Sequence, residues 1–204
     1  MGTKGERTRE HVLDIAEDLI LQRGYSGTSI DEIISKSGLT KGGFFYHFDG
    51  KADLARHLML RYIDRDITFF VDLSERAASL VEEPLQQFLL FLKLLAEAMA
   101  DLPGTHPGCL IASFTYEAHQ FDEQVKVLNA EALLTWRKLF LGHLEVIAEK
   151  YPPRTDQPLQ DLADMLSSIL EGGIIMSKVL EDGQALPSQL LQYRNYIRLV
   201  FGDK

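Results

Sequence analysis

Helical periodicity runs through almost the whole sequence, and this feature restricts the fold more than any other. Apolar residues recur at intervals of three and four, for example at Val125, Leu128, Ala132, Trp136, Leu139, Phe140, His143 and Ile147. No stretch alternates at a period of two for long enough to form a sheet. A chain of 204 residues with 46% hydrophobic content can also bury a substantial core. The sequence therefore predicts an all-α protein.

Cap residues and helix breakers divide this pattern into about nine predicted helices. Gly24 is predicted to end the first helix and Gly38 the second. Thr28 is predicted to be the N-cap of the second helix and Thr40 that of the third, because a hydroxyl there accepts a backbone N–H of the first turn. The predicted helices cover residues 7–23, 29–37, 41–47, 51–80, 84–102, 109–118, 122–150, 159–180 and 188–201.

Charge is distributed unevenly along the chain. The net charge of -9 taken alone argues against a polyanionic partner such as DNA. Residues 1–61 hold nine Lys and Arg against nine Asp and Glu, so all the excess acid lies further on. A neutral head with clustered basic residues on an acidic body is compatible with DNA bound at one end. We expect a DNA-binding head over residues 1–50 and a body over residues 51–204.

The motifs that the sequence lacks argue against several other functional classes. Its one cysteine, Cys109, allows neither an intramolecular disulfide nor a zinc site of several thiolates. The six histidines are dispersed, and there is no glycine-rich phosphate loop, His-Glu-x-x-His or Gly-x-Ser-x-Gly motif. Charges interrupt even the most apolar stretch, residues 88–100, and no apolar run follows the basic N-terminal residues. We expect a cytoplasmic protein that is not an enzyme and needs no metal or other cofactor.

The segment from Thr28 to His47 has the dimensions of a helix-turn-helix. In its second helix, Gly42 and Gly43 each cost about 1 kcal/mol of helix propensity relative to alanine. Glycine in the leading turn lets the backbone approach another surface closely, and DNA is such a surface. Lys41 lies near the positive end of the helix dipole, which is unfavourable unless an anion such as phosphate is close. This segment is therefore predicted to contact DNA.

A wider pattern at fixed spacing extends from Thr8 to Leu54. It contains Gly24-Tyr25, Thr28-Ser29, Ile33, Gly38-Leu39-Thr40-Lys41-Gly42, Phe44, His47-Phe48, Lys51 and Leu54. This pattern resembles the head of the tetracycline-repressor (TetR) family of transcriptional regulators. Two positions depart from it, because Phe45 stands where the family usually has tyrosine and Ile34 where it usually has alanine. A phosphate-binding hydroxyl is thus absent at Phe45, or displaced to Tyr46.

The resemblance implies a homodimer that binds a palindromic operator on double-stranded DNA and is released by a small-molecule inducer. By position in the family pattern, Thr28 and Ser29 would contact phosphate, and His47 and Lys51 would hold the DNA backbone. The full set of residues expected at DNA is Thr28, Ser29, Thr40, Lys41, Gly42, Gly43, Phe45, Tyr46, His47 and Lys51. The basic residues Lys4, Arg7 and Arg9 either add phosphate contacts or are simply solvated.

The body is expected to hold the inducer, and its aromatic residues are the candidates for the site. The candidates are Phe69, Phe88, Phe91, Met99, Cys109, Phe114, Tyr116, His119 and Trp136. Glu117 and His119 are the predicted polar groups of this site, with a buried hydrogen bond or an exposed cap as the alternative role. Aromatic residues at helical spacing also commonly fill a core.

The last two predicted helices carry more apolar surface than one face needs, which indicates an interface across a two-fold axis. The residues expected there are Leu159, Leu162, Leu166, Ile169, Leu170, Gly173, Leu190, Tyr193 and Ile197. The alternative is that they complete the core of the monomer.

Two other functions stay open from the sequence alone. One is a helical module that binds protein, whose affinity would lack the salt dependence of phosphate contacts. The other is a regulator that senses oxidants or electrophiles through Cys109, because a thiol at a helix N-terminus can have a lowered pKa.

Overall fold

The computed structural model describes residues 3–202 and confirms the all-helical class. Nine α-helices and one short 3-10 helix, Ala118–Gln120, form within this range, and no residue of the range lies in a strand. The α-helices are α1 (Lys4–Arg23), α2 (Ile30–Ser37), α3 (Lys41–His47), α4 (Lys51–Leu80), α5 (Pro84–Ala100), α6 (Leu110–Tyr116), α7 (Glu123–Lys150), α8 (Leu159–Leu180) and α9 (Ala185–Phe201).

Helices α2 to α8 begin within one residue of the predicted starts. The predicted start of α9 at residue 188 is wrong by three residues, because Pro187 lies in the first turn, where a missing N–H costs no helical hydrogen bond. The first two helices differ from their predicted caps for other reasons. Helix α1 begins three residues earlier than predicted, because Thr3 and Glu6 form a reciprocal capping box. Ser29, and not Thr28, is the N-cap of α2, and its Oγ accepts the backbone N–H of Glu32 at 3.1 Å. The predicted cap at Thr28 is therefore wrong by one residue. Thr28 is only 1% exposed, and its hydroxyl donates to the carbonyl of Gly24 at 2.9 Å.

The chain divides into two compact units, and the first is built from two separate segments. It comprises the described residues up to Asp64 together with Pro107–Ala132. Helix α1 contacts α2 and α6, and α2 contacts α3. The core of this unit is apolar and fully buried, with Val12, Leu13, Ala16, Leu19, Ile20, Ile33, Phe44, Phe48, Leu54, Leu58 and Phe114 at its centre.

Arg61 ties the start of α4 to α1 through carboxylates on successive turns of α1. Its guanidinium lies 2.7 Å from Asp14, 2.7 Å from Glu17 and 3.2 Å from Glu10. These contacts raise the pKa of Arg61 although burial acts in the opposite direction. The ion pairs link α4 to α1, the helix against which α2 packs.

The second unit comprises Arg65–His106 and the described residues from Leu133 onward. Helix α9 packs along both α5 and α8. The α8–α9 contact is close at Gly173, where an added Cβ would lie 2.6 Å from a side-chain carbon of Leu186. Tyr193 is buried between the two helices and donates its hydroxyl to the carbonyl of Leu162 at 2.7 Å. Within residues 3–202, no helix combines the length and the apolar character that crossing a membrane requires.

Candidate nucleic-acid interface

Local sequence determines the turn between α2 and α3. Gly38 ends α2 in the left-handed conformation, with φ of 68°, which glycine adopts without steric cost. Two residues later Thr40 caps α3, and its Oγ accepts the backbone N–H of Gly43 at 3.1 Å. Phe44 is fully buried and packs against Phe48 with 5.5 Å between ring centres. One side of α3 is thereby anchored, and the opposite side faces solvent.

The solvent side of α3 presents a cation, a glycine and two aromatic rings. Lys41 and Gly42 are exposed, and Phe45 and Tyr46 follow with 43% and 82% of their surface accessible. A Cβ added to Gly42 would meet no atom within 4 Å, so packing inside this chain does not require glycine there. Two adjacent aromatic rings next to an exposed cation and a glycine give this side of α3 the groups that contact DNA bases and phosphates.

Three hydroxyl groups, those of Thr28, Ser29 and Thr40, lie at positions predicted to contact DNA, and they differ in whether the hydroxyl hydrogen is already used within the chain. Ser29 and Thr40 each accept a backbone N–H through the side-chain oxygen, so the hydroxyl hydrogen of each is available to an outside acceptor. Thr28 has already given its hydroxyl hydrogen to Gly24 and is buried. Of these three hydroxyls, those of Ser29 and Thr40 therefore keep a hydrogen that a phosphate could accept.

The side chain of Lys51 turns inward toward the residues that follow α1. Its Nζ donates to the carbonyl of Tyr25 at 2.5 Å and lies 4.1 Å from the centre of the Tyr25 ring. Burial lowers the pKa of Lys51, and the nearby carboxylate of Glu117 opposes that shift. In this conformation Lys51 stabilises the turn before α2, while His47 remains half-buried at the end of α3.

Glu117 takes the alternative role expected from the sequence, but its partners were not predicted because they lie more than ninety residues away. Its carboxylate accepts the backbone N–H of Tyr25 at 2.6 Å and that of Ser26 at 2.8 Å, and the hydroxyl of Ser26 donates to the same carboxylate. Burial would raise the pKa of Glu117, but these hydrogen bonds outweigh it and lower the pKa. Glu117 thus has the alternative role of a capping hydrogen-bond acceptor, and holds the turn that leads into α2.

Gly24 completes this contact. Its φ is 78°, and an added Cβ would lie 2.6 Å from a carboxylate oxygen of Glu117. The sequence predicted that Gly24 ends the first helix, but it did not predict that the Glu117 carboxylate occupies the space beside this glycine.

The residues expected to bind the inducer fall into two sets, one in each unit. In the first unit Phe114 packs against Phe121 and Tyr25, whereas Tyr116 and His119 are exposed. Cys109 is only 6% exposed at the start of α6, so its thiol offers little surface to an oxidant or electrophile.

In the second unit, aromatic rings of α4, α5 and α7 form one cluster. The members are Phe70, Phe88, Phe91, Trp136, Phe140 and His143, whose ring centres lie 5.3 to 6.5 Å apart in the contacting pairs. Phe69, which precedes Phe70, and Met99, which lies further along α5, are half-buried. The cluster contains three of the predicted ligand residues, Phe88, Phe91 and Trp136, and adds His143, which the sequence analysis did not select for the site.

Most residues expected at the dimer interface lie inside the chain's own core. The buried ones are Leu162, Leu166, Leu170, Gly173, Leu190, Tyr193 and Ile197, while Leu159 and Ile169 are partly accessible. For the buried seven the alternative holds: they complete the core of the monomer. The large apolar residues that α8 leaves in solvent are instead Met165, Ile175, Met176, Val179 and Leu180, and α9 adds Leu191 and Leu199.

Comparisons with known proteins agree with this geometry over both parts of the chain. The sequence profile described as "Bacterial regulatory proteins, tetR family" matches residues 12–58. The profile described as "Transcriptional regulator LmrA/YxaF-like, C-terminal domain" matches residues 84–189.

Named relatives cover most of the chain at low identity. The HTH-type transcriptional repressor DhaR of Mycobacterium sp. (strain GP1) is 25% identical over 87% of this chain and 86% of its own length. The HTH-type transcriptional regulator LmrA of Bacillus subtilis (strain 168) is 26% identical over 88% and 90%. Among solved structures, a TetR-family regulator from Agrobacterium tumefaciens superposes with a TM-score of 0.79 at 18% identity, covering 97% of this chain and 100% of that one. That superposition establishes a shared fold.

Proposed function

This chain belongs to the TetR family of bacterial transcriptional regulators, and we propose that it binds operator DNA through the exposed side of α3. The observation that carries the proposal is the contrast between the two sides of this helix. Phe44 fixes one side in the core, while Lys41, Phe45 and Tyr46 stand in solvent on the other. A short helix held this way fits the major groove as a recognition helix.

The chemistry of the exposed groups suggests a role for each. Ser29 and Thr40 would donate their hydroxyl hydrogens to phosphates, and Lys41 would pair with a phosphate or a base edge. Gly42 and Gly43 would let the helix backbone approach the DNA. Tyr46 would supply a phenolic hydroxyl where the family's usual tyrosine is replaced by Phe45, which is suited to a thymine methyl group.

A palindromic operator requires two copies of α3, and we propose that α8 and α9 join them. The large apolar residues left in solvent on these helices, Met165, Ile175, Met176, Val179, Leu180, Leu191 and Leu199, form the surface that a second copy would cover. Two helices from each protomer would then form a four-helix interface.

Repression follows from occupancy of the operator, and release follows from an inducer that favours another conformation. An inducer changes operator affinity only as far as it binds one conformation more tightly than the other. The protein would therefore act as a ligand-responsive repressor.

The experiment that tests the proposal is selection of bound sequences from a random duplex library by the purified protein at a defined salt concentration. We expect an enriched palindrome with half-sites about one helical turn, roughly 34 Å, apart. Lack of enrichment at low and at near-physiological salt would contradict sequence-specific binding and favour the protein-binding module.

A further inference from the structure

The second unit contains a groove that the DNA-binding role does not use. It has a volume of about 460 Å³ and is lined by Ile67 of α4 and by Thr135, Lys138, Leu139, Gly142 and His143 of α7. Sites for small organic molecules are commonly about 300–1,000 Å³ in volume and mostly apolar, with few polar groups. The groove has the size of such a site.

Gly142 keeps part of this groove empty at a cost to the helix. Glycine in the middle of an α-helix costs about 1 kcal/mol relative to alanine. An added Cβ at Gly142 would meet no atom within 4 Å, so packing inside the described chain does not require the glycine. Room for a molecule bound in the groove is a reason for glycine at position 142.

Three polar side chains line the groove, those of Thr135, Lys138 and His143. The hydrogen-bond partner of His143 determines its tautomer. The hydroxyl of Ser74 donates its one hydrogen to the carbonyl of Phe70 at 2.9 Å. The oxygen of Ser74 lies 3.1 Å from Nε2 of His143 and must therefore accept a hydrogen from it. Nε2 thus carries the hydrogen of the neutral ring, and Nδ1 is left as a hydrogen-bond acceptor.

Aromatic rings hold this imidazole in place. His143 lies nearly parallel to Phe88 and to Phe91, with ring centres 5.4 and 5.8 Å apart. Burial lowers the pKa of His143, which favours the neutral form that the hydrogen bond to Ser74 requires. Among residues 3–202 the polar contact of this ring is the one between Nε2 and Ser74, so Nδ1 of the neutral ring is left to accept from a donor on a bound molecule.

Lys138 adds one positive charge to the groove. Its side chain is exposed, and it forms no ion pair with the part of the chain that the structure describes. A mostly apolar groove that offers the Nδ1 acceptor and one cation is complementary to an apolar molecule with one donor and one anionic group.

We propose that this groove binds a small aromatic hydroxy acid, whose hydroxyl donates to Nδ1 of His143 and whose carboxylate pairs with Lys138. The ring of the molecule lies against Ile67 and Leu139. The binding itself does not depend on the proposed function. The further statement that the bound molecule is the inducer rests on that function.

The test is isothermal titration calorimetry on the full-length protein, which measures binding without DNA. The probes are the meta- and para-hydroxy derivatives of benzoate and cinnamate, each paired with its methyl ether, which has no hydroxyl hydrogen. We expect a hydroxy acid to bind and its methyl ether to bind about tenfold more weakly, because the hydrogen bond to Nδ1 is lost.

Three variants separate the contributions. H143F keeps the stacked ring without the acceptor, and should bind the hydroxy acid and its ether equally. K138Q should weaken binding of both about two- to fivefold, whereas K93Q, which removes an exposed lysine of α5, should change neither. G142L should abolish binding by filling the groove.

The proposal is wrong if no probe binds at millimolar concentration, or if the wild-type protein binds the hydroxy acid and its ether equally well. The second comparison needs no variant, so it holds even if H143F does not fold. Operator binding by the unliganded protein is measured separately. Its absence would contradict the proposed function and would leave the calorimetric result standing.

Discussion

Removing the carboxylate of Glu117 should destabilise the first unit by several times as much as removing an exposed carboxylate of the same unit. The carboxylate accepts two backbone N–H groups, from Tyr25 and Ser26, and one hydroxyl. A hydrogen bond to a charged group contributes about 1.5–3 kcal/mol. Ser26 is exposed, so water replaces part of what is lost and the contribution of its bonds is smaller. We estimate a cost of about 2–4 kcal/mol for E117A and about 1–2 kcal/mol for E117Q, which retains one acceptor oxygen.

The assay is urea denaturation followed by far-ultraviolet circular dichroism, with E123Q as the matched control. Glu123 lies in the same unit and, within residues 3–202, its ion pair is with Lys126 on an exposed surface. Its substitution should change the free energy of unfolding by less than about 0.5 kcal/mol. If E117A costs no more than E123Q, the three hydrogen bonds do not hold the turn and the reasoning fails.

The pH dependence gives an independent check on the same contact. The pKa of Glu117 is lowered in the folded protein, so its contribution is fully present above the ordinary value of 4.5 and is lost as the pH falls through the folded pKa. The difference in stability between wild type and E117A should therefore shrink below about pH 4.5. A difference that stays constant from pH 7 to pH 3 would mean that the carboxylate charge does not contribute.

Three further predictions concern DNA binding and assembly. K41A should weaken operator binding and reduce the slope of log affinity against log salt by about 1, whereas K93A should leave the slope unchanged; an unaltered slope for K41A would remove Lys41 from the contacts. S29A should weaken operator binding and, because Ser29 caps α2, also lower stability by about 0.5–2 kcal/mol. T28V should lower stability by about 1–3 kcal/mol and leave operator binding by the folded protein unchanged; weaker binding by folded T28V but not by S29A would contradict the assignment of the two hydroxyls. V179E should dissociate the dimer in sedimentation velocity without unfolding the chain, because Val179 is 75% exposed, and an unchanged dimer would exclude this surface.

The sequence predicts helices accurately wherever a local signal determines them. Helix α3 covers the predicted residues. Its start is determined locally, because Gly38 ends α2 and Thr40 caps α3 two residues later. The error at Thr28 arises because two adjacent hydroxyls can each cap a helix. Only the carbonyl of Gly24, which receives the Thr28 hydrogen, decides between them.

Contacts between distant parts of the chain were beyond sequence reasoning. Helical spacing shows that α8 and α9 are rich in apolar residues, but not which side faces the core and which faces solvent. The buried Leu166 and the exposed Met165 are neighbours in sequence with the same apolar character. In the same way, no short-range sequence signal indicates that Glu117 accepts from Tyr25 or that Ser74 contacts His143, because each pair is far apart in the chain.

The two-segment construction of the first unit sets a rule for exchanging parts between regulators. Phe114 and Phe121 cover the ring of Tyr25, with 5.8 and 4.4 Å between ring centres, and both come from the second segment. A chimera that grafts only residues up to 64 onto a foreign body would leave this aromatic face uncovered and the Tyr25–Ser26 turn without its acceptor. On the ribosome, likewise, the operator-binding part cannot be completed until Ala132 has been synthesised.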